Sequence, residues 1–165
     1  MKMKKILLIS DTHGYIDDRI IQYAKESDET WHAGDIGELK VVDELKKVTT
    51  LRAVHGNIDN SKIRAEYAEN LRFKIEDMKI WITHIGGYPN KYNQRIRQEI
   101  YNDPPDIFIC GHSHILKVIN DNKLNLLHIN PGAIGKHGFH LVRTMIRFEI
   151  IKSKIQNLEV IEFKR

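Results

Sequence analysis

The sequence has a single cysteine and no long run of apolar residues. Cys110 therefore has no partner for an intramolecular disulfide, and its place at the end of an apolar segment predicts a buried structural thiol. The N-terminal apolar segment spans only Ile6 to Ile9 before it meets Asp11. A secretory signal needs roughly 7–15 apolar residues and a membrane helix roughly 20. We therefore predict a cytoplasmic protein without membrane contact.

The charged residues also form no long run of one sign. The 26 Lys and Arg residues exceed the 22 Asp and Glu residues, for a net charge of +4, but the excess is scattered. A solvated basic surface explains this pattern, with a mild attraction for anionic substrates. Trp31 and Trp81 lie in apolar segments and are expected in the core, so a nucleic acid polymer is not the expected partner. Without repeats, low-complexity tracts or linkers, the 165 residues indicate one domain over residues 1–165.

The first sixty residues alternate between short apolar segments and amphipathic segments. Lys5–Ser10, Thr30–Ala33 and Leu51–His55 have the length and composition of buried strands. Asp18–Lys25 and Glu38–Lys47 carry apolar residues at helical spacing between them. A β-α-β-α-β order predicts a parallel sheet with crossover helices.

The remainder of the chain is richer in strands. One helix is expected within Tyr92–Tyr101, before two consecutive prolines. The predicted strands, in chain order, are Leu71–Ile75, Lys79–Thr83, Asp106–Cys110, Leu116–Ile119, Leu124–Ile129, Arg143–Ile151 and Ile155–Phe163. The first and second of these strands, the fourth and fifth, and the sixth and seventh are each separated by a short turn-like segment, which indicates hairpins.

Residues that can bind metal follow the ends of five predicted strands, and each has a glycine nearby. They are Asp11, Asp35, Asn57, His84 and His112. In open α/β sheets, ligands bind beyond the carboxyl ends of the strands, so these side chains are expected to meet at one place. The neighbouring glycines allow the loops to bend and approach closely.

Two pairs of these residue types share the same spacing. Asp11 and His13 are separated by one residue, as are His112 and His114. Mixed carboxylate and imidazole ligands suit Zn, Mn, Fe or Ni better than Ca or Mg. Two adjacent ions would also need a bridging carboxylate, and together they would bind a phosphoryl group and supply hydroxide at neutral pH. A solvated or core histidine pair is the alternative explanation for each pair taken alone.

The ordered series SDTHG, HAGD, GNID, TH, GHSH and NPG resembles the calcineurin-like metallophosphoesterase superfamily. The short chain and the motif order are similar to its small YfcE-type phosphodiesterase branch. The resemblance covers the chain from Asp11 to Gly132. It implies a four-layer α/β/β/α sandwich of two mixed β-sheets flanked by helices, which is the metallophosphoesterase fold.

The resemblance further implies two divalent transition-metal ions, with manganese expected and zinc, iron or nickel as alternatives. The first ion would be bound by Asp11, His13 and His114, the second by Asn57, His84 and His112, and both by Asp35. Asp35, Asn57 and His84 would act in catalysis through these ions. His32 and Asp59 would orient the ligands, although His32 could equally be a half-buried strand residue. Asn130–Gly132 would form the turn that closes the site, or simply a tight turn.

The chain departs from the family pattern at two places. Many relatives have a histidine at the position of Ile58, where it would protonate the leaving group. His137 and His140 could replace that acid, and Arg143 could contact phosphate, unless their segment is only a polar surface loop. The segment after His84 also lacks a second histidine, so access to the second ion is expected to differ.

These features together predict a metal-dependent phosphodiesterase that hydrolyses small phosphodiesters or nucleotides. The alternatives are a phosphomonoesterase and a non-catalytic protein-interaction scaffold, the role of a retromer subunit with this fold. All seven ligand positions are occupied here, which favours an enzyme. A small phosphorylated substrate is the expected partner. The oligomeric state stays open, with a homodimer or larger assembly as options.

Overall fold

A computed structural model describes residues 3–165, and over that range the chain forms twelve strands and four helices. The strands are β1 (Lys4–Ile9), β2 (Glu29–His32), β3 (Thr50–Ala53), β4 (Asn70–Ile75), β5 (Met78–Thr83), β6 (Gly87–Tyr88), β7 (Lys91–Tyr92), β8 (Ile107–Ile109), β9 (Leu116–Asp121), β10 (Leu126–Pro131), β11 (Val142–Ile151) and β12 (Lys154–Lys164). The helices are α1 (Asp18–Lys25), α2 (Leu39–Lys46), α3 (Ser61–Glu66) and α4 (Gln94–Asn102). No helix in this range is long and apolar enough to span a bilayer.

The first sheet has the strand order β12-β11-β1-β2-β3. Strands β1, β2 and β3 are parallel, as the alternating pattern predicts, and α1 and α2 connect them. Strand β11 pairs antiparallel with β1, so that Leu8 lies opposite Trp31 on one side and Ile146 on the other. The C-terminal hairpin therefore extends the parallel sheet into a mixed one.

The second sheet has the order β4-β5-β8-β10-β9 and is also mixed. Strands β5, β8 and β10 are parallel, whereas β4 and β9 pair antiparallel at the two edges. Helix α4 connects β5 to β8, and its Ile96 and Ile100 pack on Trp81 and Phe108. The second sheet thus has its own helix on its outer face.

The core is built by alternation along buried strands. On β1, Ile6 and Leu8 face the second sheet, where they pack in one cluster with Ile82 and Ile109. Leu7 and Ile9 point to the other face and join the cluster that includes the apolar residues of α1 and α2. Each fully buried aliphatic side chain contributes about 1.5–3 kcal/mol relative to an exposed one. The resulting layers are α/β/β/α, so the predicted sandwich of two mixed sheets is confirmed.

Helix α3 and the small hairpin β6–β7 have no counterpart in the sequence prediction. The side chain of Asn60 caps α3 by accepting from the backbone N–H groups of Lys62 and Ile63. Only Ile63 of this six-residue helix is buried, so its sequence carries no helical periodicity. The strands β6 and β7 are two residues each, too short for an alternating pattern.

The buried positions of Cys110 and of both tryptophans agree with their strand context. Trp31 and Trp81 are fully buried and Cys110 is 1% exposed. Burial raises the pKa of the Cys110 thiol to about 12. The thiol is therefore protonated at neutral pH and is not available as a nucleophile or a metal ligand.

Candidate metal centre

The loops that follow the strand ends are joined to one another by backbone hydrogen bonds. The N–H of Asp11 donates to the carbonyl of Gly34 at 2.9 Å, and that of His13 donates to the carbonyl of Asp35 at 3.0 Å. In the second sheet, the N–H of Gly111 donates to the carbonyl of His84 at 2.9 Å, and between the two sheets the N–H of His112 donates to Asp11 Oδ2 at 3.1 Å. These bonds bring ligand-type residues from both sheets to one end of the molecule.

Two groups of three ligand-type side chains meet at this end. In each group the potential ligand atoms lie within 4.8 Å of one another. The first group is Asp11, His13 and His114, and the second is Asp35, His84 and His112. The first group contains the three residues that the resemblance assigned to one ion, and the second contains His84 and His112 together with Asp35. Their role as ligands stays a prediction.

Asp35 lies between the two groups. Its Oδ1 is 3.2 Å from His84 Nε2 in the second group, and its Oδ2 is 3.7 Å from His13 Nε2 in the first. Asp11 Oδ1 approaches His114 Nε2 at 3.1 Å. One carboxylate oxygen on each side is the arrangement that a bridging ligand requires.

The atoms facing the centre of the cluster fit a cation. His84 Nδ1 donates to the carbonyl of Ala33 at 2.8 Å, so Nε2 is the ring nitrogen that faces Asp35 and Asp11. Within residues 3–165, His84 Nε2 and Asp11 Oδ1 are buried and have no hydrogen-bond partner. Buried acceptors that face one another are costly unless a positive group lies between them. Nitrogen and carboxylate donors together are typical ligands of Zn²⁺, Mn²⁺ and iron.

The backbone is left-handed at most of these residues. The φ angles are +55° at Asp11, +45° at His13, +54° at Asp35, +69° at His112 and +59° at His114. A positive φ is uncommon outside glycine, and strained residues of this kind cost of order 1–3 kcal/mol each. Six other non-glycine residues in the range 3–165 also have a positive φ, and they lie in turns or in β12. Five such residues whose side chains meet at one place are typical of a functional site.

Two glycines allow the loops to reach this proximity. A side chain at Gly56 would clash with the carboxylate of Asp35, and a Cβ at Gly34 would lie 2.7 Å from His84 Nδ1. Because Gly34 also has a φ of +99°, another residue there would be strained as well.

Charge and burial oppose one another in the cluster. Burial disfavours the ionised form of Asp35, but the contact and charge of His84 and the N–H of Ile58 outweigh it and lower the pKa of Asp35. Burial likewise opposes protonation of His84, yet Asp35 and Asp11 raise the pKa of His84. For His13, burial prevails over both carboxylates and lowers its pKa. The two carboxylates thus create a negative site that favours a bound cation.

His32 is fully buried beside the centre and does not contact a ligand side chain. Its Nδ1 accepts from the N–H of Gly34 at 3.1 Å, and its Nε2 lies 2.9 Å from the hydroxyl of Thr12. That hydroxyl donates to the carbonyl of Ile36 at 2.9 Å, so His32 Nε2–H is the donor to Thr12. Burial lowers the pKa of His32 to about 4. A neutral His32 therefore holds together the two loops that carry Asp11 and Asp35.

Asp59 connects the loop that carries Asp35 to the loop that carries Asn57. Its carboxylate accepts from the N–H groups of Ile36 at 3.1 Å, Gly37 at 2.7 Å and Gly56 at 2.7 Å. The neighbouring N–H of Ile58 donates to Asp35 Oδ1 at 3.1 Å. Asp59 thus fixes the backbone on both sides of the candidate bridging ligand.

Asn57 lies at the wall of the pocket above the cluster, with an exposed side chain. Arg64, which sequence reasoning missed, donates to the carbonyls of Asn57 at 3.0 Å, Gly56 at 3.1 Å and Asp59 at 2.6 Å. No periodic signal marks Arg64, because its role depends on the turn that it caps. Asn57 is placed beside Asp35, and its role as a ligand stays a prediction.

A second clamp, of which the sequence indicated only the Asn130–Gly132 turn, holds the loop with His112 and His114. Ser113 between them bonds the hydroxyl of Tyr88, and Asn130 Nδ2 donates to Ser113 Oγ at 3.1 Å and to the carbonyl of Gly111 at 2.9 Å. Asn130 Oδ1 in turn accepts from the N–H of Gly132 at 3.0 Å. The Asn130–Gly132 segment therefore contacts the loop that carries His112 and His114.

The segment from Gly135 to His140 lies over the first ligand group. The ring of His137 is 4.8 Å from that of His13, and the ring of His140 is 5.2 Å from that of His114. His140 Nε2 donates to the carbonyl of Gly135 at 2.8 Å and closes the loop. The predicted proximity of these two histidines to the cluster is therefore observed, whereas their chemical role stays a prediction.

Arg143 differs from its predicted place beside the substrate. Its side chain is buried, donates to the carbonyl of Ile134 at 2.7 Å and pairs with Asp17 at 3.1 Å. Its guanidinium also lies over the ring of Tyr15 at 4.5 Å. Arg143 does not line the pocket above the cluster, because alternation along β11 turns its side chain toward α1. We therefore do not assign it to phosphate binding.

The pocket above the cluster is open and has a volume of about 520 Å³. Its lining residues are His13, Asp35, Asn57, Ile58, His112, Ser113, His114, Ile115, His137, Gly138, Phe139 and His140. A smaller pocket of about 130 Å³ lies on the other side of Asn57 and is lined in part by Arg64 and Arg95. The recess also contains Glu69, which pairs with Arg95 at 3.1 Å, so its lining carries charges of both signs.

Comparison with known proteins places this arrangement in a family. The calcineurin-like phosphoesterase superfamily domain matches residues 3–153. A probable metallophosphoesterase of Methanocaldococcus jannaschii is 31% identical over 135 residues, which is 76% of this chain and 66% of that relative. A predicted phosphoesterase from Streptococcus pneumoniae TIGR4 is 26% identical, with a TM-score of 0.70 over 100% of this chain and 99% of that one.

Vps29 from Entamoeba histolytica, solved with Zn²⁺, is 19% identical, with a TM-score of 0.73 over 97% of this chain and 98% of that one. At that identity the likeness concerns the fold alone. The match over residues 3–153 covers the motifs, the two ligand groups and the strands of both sheets except β12. The chain belongs to the calcineurin-like phosphoesterase superfamily.

Proposed function

We propose that this protein is a metal-dependent phosphodiesterase that hydrolyses small phosphodiesters or nucleotides at a dinuclear centre. The observation that carries the proposal is the position of Asp35, whose two carboxylate oxygens face two separate ligand groups. When bound, two divalent ions would polarise the phosphoryl oxygens and provide a nucleophile from water at neutral pH. Manganese is our first candidate, and zinc, iron and nickel suit the same ligands.

The residues would divide the work between the two ions. Asp11, His13 and His114 would bind one ion, Asn57, His84 and His112 would bind the other, and Asp35 would bind both. The hydrogen bond from His84 to Ala33 fixes the tautomer that presents Nε2 as a ligand. The loops held by His32 and Asp59 keep this geometry before a substrate arrives, which lowers the reorganisation needed in the reaction.

The pocket favours a diester over a monoester. Among the described residues that line it there is no Lys or Arg. A diester brings one negative charge and two organic groups, which suits a wall without cationic side chains better than the second charge of a phosphomonoester. Openness to solvent and a volume of about 520 Å³ suit a small substrate.

A protein-interaction scaffold is the second candidate function. The likeness to the fold of Vps29 and three exposed apolar side chains at the pocket, Ile58, Ile115 and Phe139, favour it. A scaffold has no need of a complete ligand set or of five left-handed ligand residues. We therefore place the enzyme first.

The test is turnover of bis(p-nitrophenyl) phosphate by protein that is stripped with a chelator and then reloaded with Mn²⁺. An enzyme should be active only after reloading, with two ions bound per chain by elemental analysis. Full activity in the stripped protein would contradict the metal mechanism. Two bound ions without turnover of diesters or monoesters would favour the scaffold.

A further inference from the structure

Three large apolar side chains at the pocket wall are exposed to solvent. Ile58 is 46% exposed, Ile115 is 61% exposed and Phe139 is fully exposed. All three line the pocket above the ligand groups, and we call them the apolar rim. Single exposed apolar residues are ordinary, but a group of them around a polar site marks a binding surface. None of the three side chains belongs to either ligand group.

The loop geometry fixes Phe139 relative to the ligands. Its neighbour Gly138, at a φ of +120°, lies so close to His114 that a side chain there would clash with the imidazole. The hydrogen bond from His140 to Gly135 closes the loop on the other side. Phe139 therefore lies at the tip of a short loop that packs against His114, a candidate metal ligand.

Ile58 brings the rim up to the bridging carboxylate. Its N–H donates to Asp35 Oδ1 at 3.1 Å, while its side chain faces the pocket. The floor of the pocket is thus polar and its wall is apolar. A ligand that spans both must carry an anionic group next to an apolar one.

We propose that the apolar rim binds an aromatic group attached to the phosphorus, so that aryl or nucleobase-bearing phosphodiesters are the preferred substrate class. This inference rests on the proposed phosphodiesterase function. The recess on the other side of Asn57 is smaller, at about 130 Å³, and its lining includes the charged side chains of Arg64, Glu69 and Arg95. The apolar rim is therefore the larger and less polar place for an aromatic ring. A flat ring has both the shape and the polarity to stack on Phe139.

The rim is too small to be a standard interface between protein chains. Such interfaces involve roughly 20–30 residues on each side. The rim has three apolar side chains, and its neighbours in the pocket are mostly histidine and other polar residues. A small aromatic ligand is the occupant that fits this size.

The experiment measures binding of two pairs of phosphoryl ligands to the Mn²⁺-loaded protein by calorimetry. Phenylphosphonate is compared with methylphosphonate, and thymidine 5′-monophosphate with deoxyribose 5-phosphate. We expect the aromatic member of at least one pair to bind about tenfold more tightly, the size of one stacking contact. The first pair reports a ring next to phosphorus and the second reports a nucleobase.

The variant F139A should remove this preference, and F139W should retain it. Y101A is the matched control, because Tyr101 is an exposed aromatic residue on α4 that does not line the pocket. No preference in the parent protein, or a preference that F139A leaves unchanged, would overturn the inference. Loss of a dimer in F139A by sedimentation, with the preference intact, would make the rim a self-association surface instead.

Turnover of bis(p-nitrophenyl) phosphate separates this inference from the proposed function. A protein that cleaves the diester but shows no aromatic preference would keep the function and lose the rim's role. A protein whose aromatic preference depends on Phe139 but which cleaves no ester would lose the function and keep the aromatic site. Failure of every ligand to bind would contradict both.

Discussion

The carboxylate of Asp35 is the side chain on which both ligand groups depend. Its two oxygens face His84 and His13 respectively, so loss of one oxygen should affect both sites. We expect D35N to bind both ions weakly and to reduce turnover by about 10³-fold or more, because a bound metal stabilises the transition state by several kcal/mol. Elemental analysis and the rate of diester cleavage measure the two effects.

Asp43 provides the matched control for this variant. It is exposed on α2, away from the ligand groups, so D43N makes the same chemical change without touching the centre. D43N should keep two ions and the parent rate. If D35N did so as well, the bridging role of Asp35 would be wrong.

The buried His32 gives the folded protein a defined dependence on pH. Its pKa is about 4 in the folded state, against 6.5 for a solvated histidine, so below pH 6.5 only the unfolded chain takes up this proton. The free energy of unfolding should therefore fall as pH decreases from 6.5 to 4, by about 3 kcal/mol in total from this residue. Urea unfolding of the chelator-treated protein across this range measures the slope.

The comparison variant is H32N, whose amide oxygen can still accept from the N–H of Gly34. It should be less stable at neutral pH, since the bond to Thr12 is lost, and its stability should depend less on pH between 6.5 and 4. An unchanged slope in H32N would show that another group is responsible.

At the scale of elements, the loop between β8 and β9 places two histidines in different groups. His112 lies with His84, whereas His114 lies with Asp11, and both have positive φ angles that direct them apart. H114A should therefore weaken the first ion more than the second, and H112A should do the reverse. Anomalous scattering from manganese-soaked crystals of both variants measures the occupancy of each site. Equal loss at both sites in both variants would count against this division.

The loop from Gly135 to His140 decides whether a side chain assists the leaving group. His140 uses Nε2 to bond Gly135, and its Nδ1 is buried without a partner among the described residues. His137 is exposed beside His13 and is the freer of the two. Because Ile58 cannot donate a proton, we expect the rate to fall steeply as the leaving-group pKa rises. We expect the dependence of the rate on leaving-group pKa to be the same in H137A and H140A as in the parent protein.

Diesters that share one retained group and differ in their leaving phenol or alcohol provide the measurement. General acid catalysis contributes roughly 10²–10⁴-fold, so a loop acid would be evident with poor leaving groups. A shallow slope in the parent that becomes steep in H137A or H140A would identify that histidine as the acid and contradict our expectation.

At the scale of the whole molecule, the centre joins the two halves of the sandwich. Asp11 and Asp35 follow strands of the first sheet, and His84 and His112 follow strands of the second. A metal that binds only the folded protein stabilises it by about 2.7 kcal/mol at a free concentration of 100 times its Kd. For a chain of this length that corresponds to a rise in Tm of roughly 5–10 °C.

Thermal unfolding with Mn²⁺ and with chelator measures this rise, and D35N is its internal comparison. We expect the difference in Tm to be large in the parent and in D43N, and small in D35N. An equal rise in all three proteins would mean that the stabilising ion binds elsewhere.

Periodicity allowed much of the fold to be predicted from sequence, and the strand ends indicated Asp11, Asp35, His84 and His112, which the fold brings together. Helix α1 was predicted with the bounds that the structure shows, and β1, β2 and α2 within one residue at each end. These elements have buried faces with a strong pattern. Helix α3 and the hairpin β6–β7 were missed because their short lengths carry no pattern, and capping by Asn60 replaces burial as the reason for the helix.

The sequence by itself determined the residue types and their order at the strand ends, because those depend on local chain direction and on the chemistry of each side chain. Only the tertiary structure decided which partners meet. The pairing of the two sheets put Asp35 between His84 and His13, and the direction of alternation on β11 turned Arg143 away to Asp17. Tyr88, Ser113 and Asn130 likewise form a clamp only across distant segments. Contacts of this kind depend on how layers pack in three dimensions, and no local pattern in the chain records them.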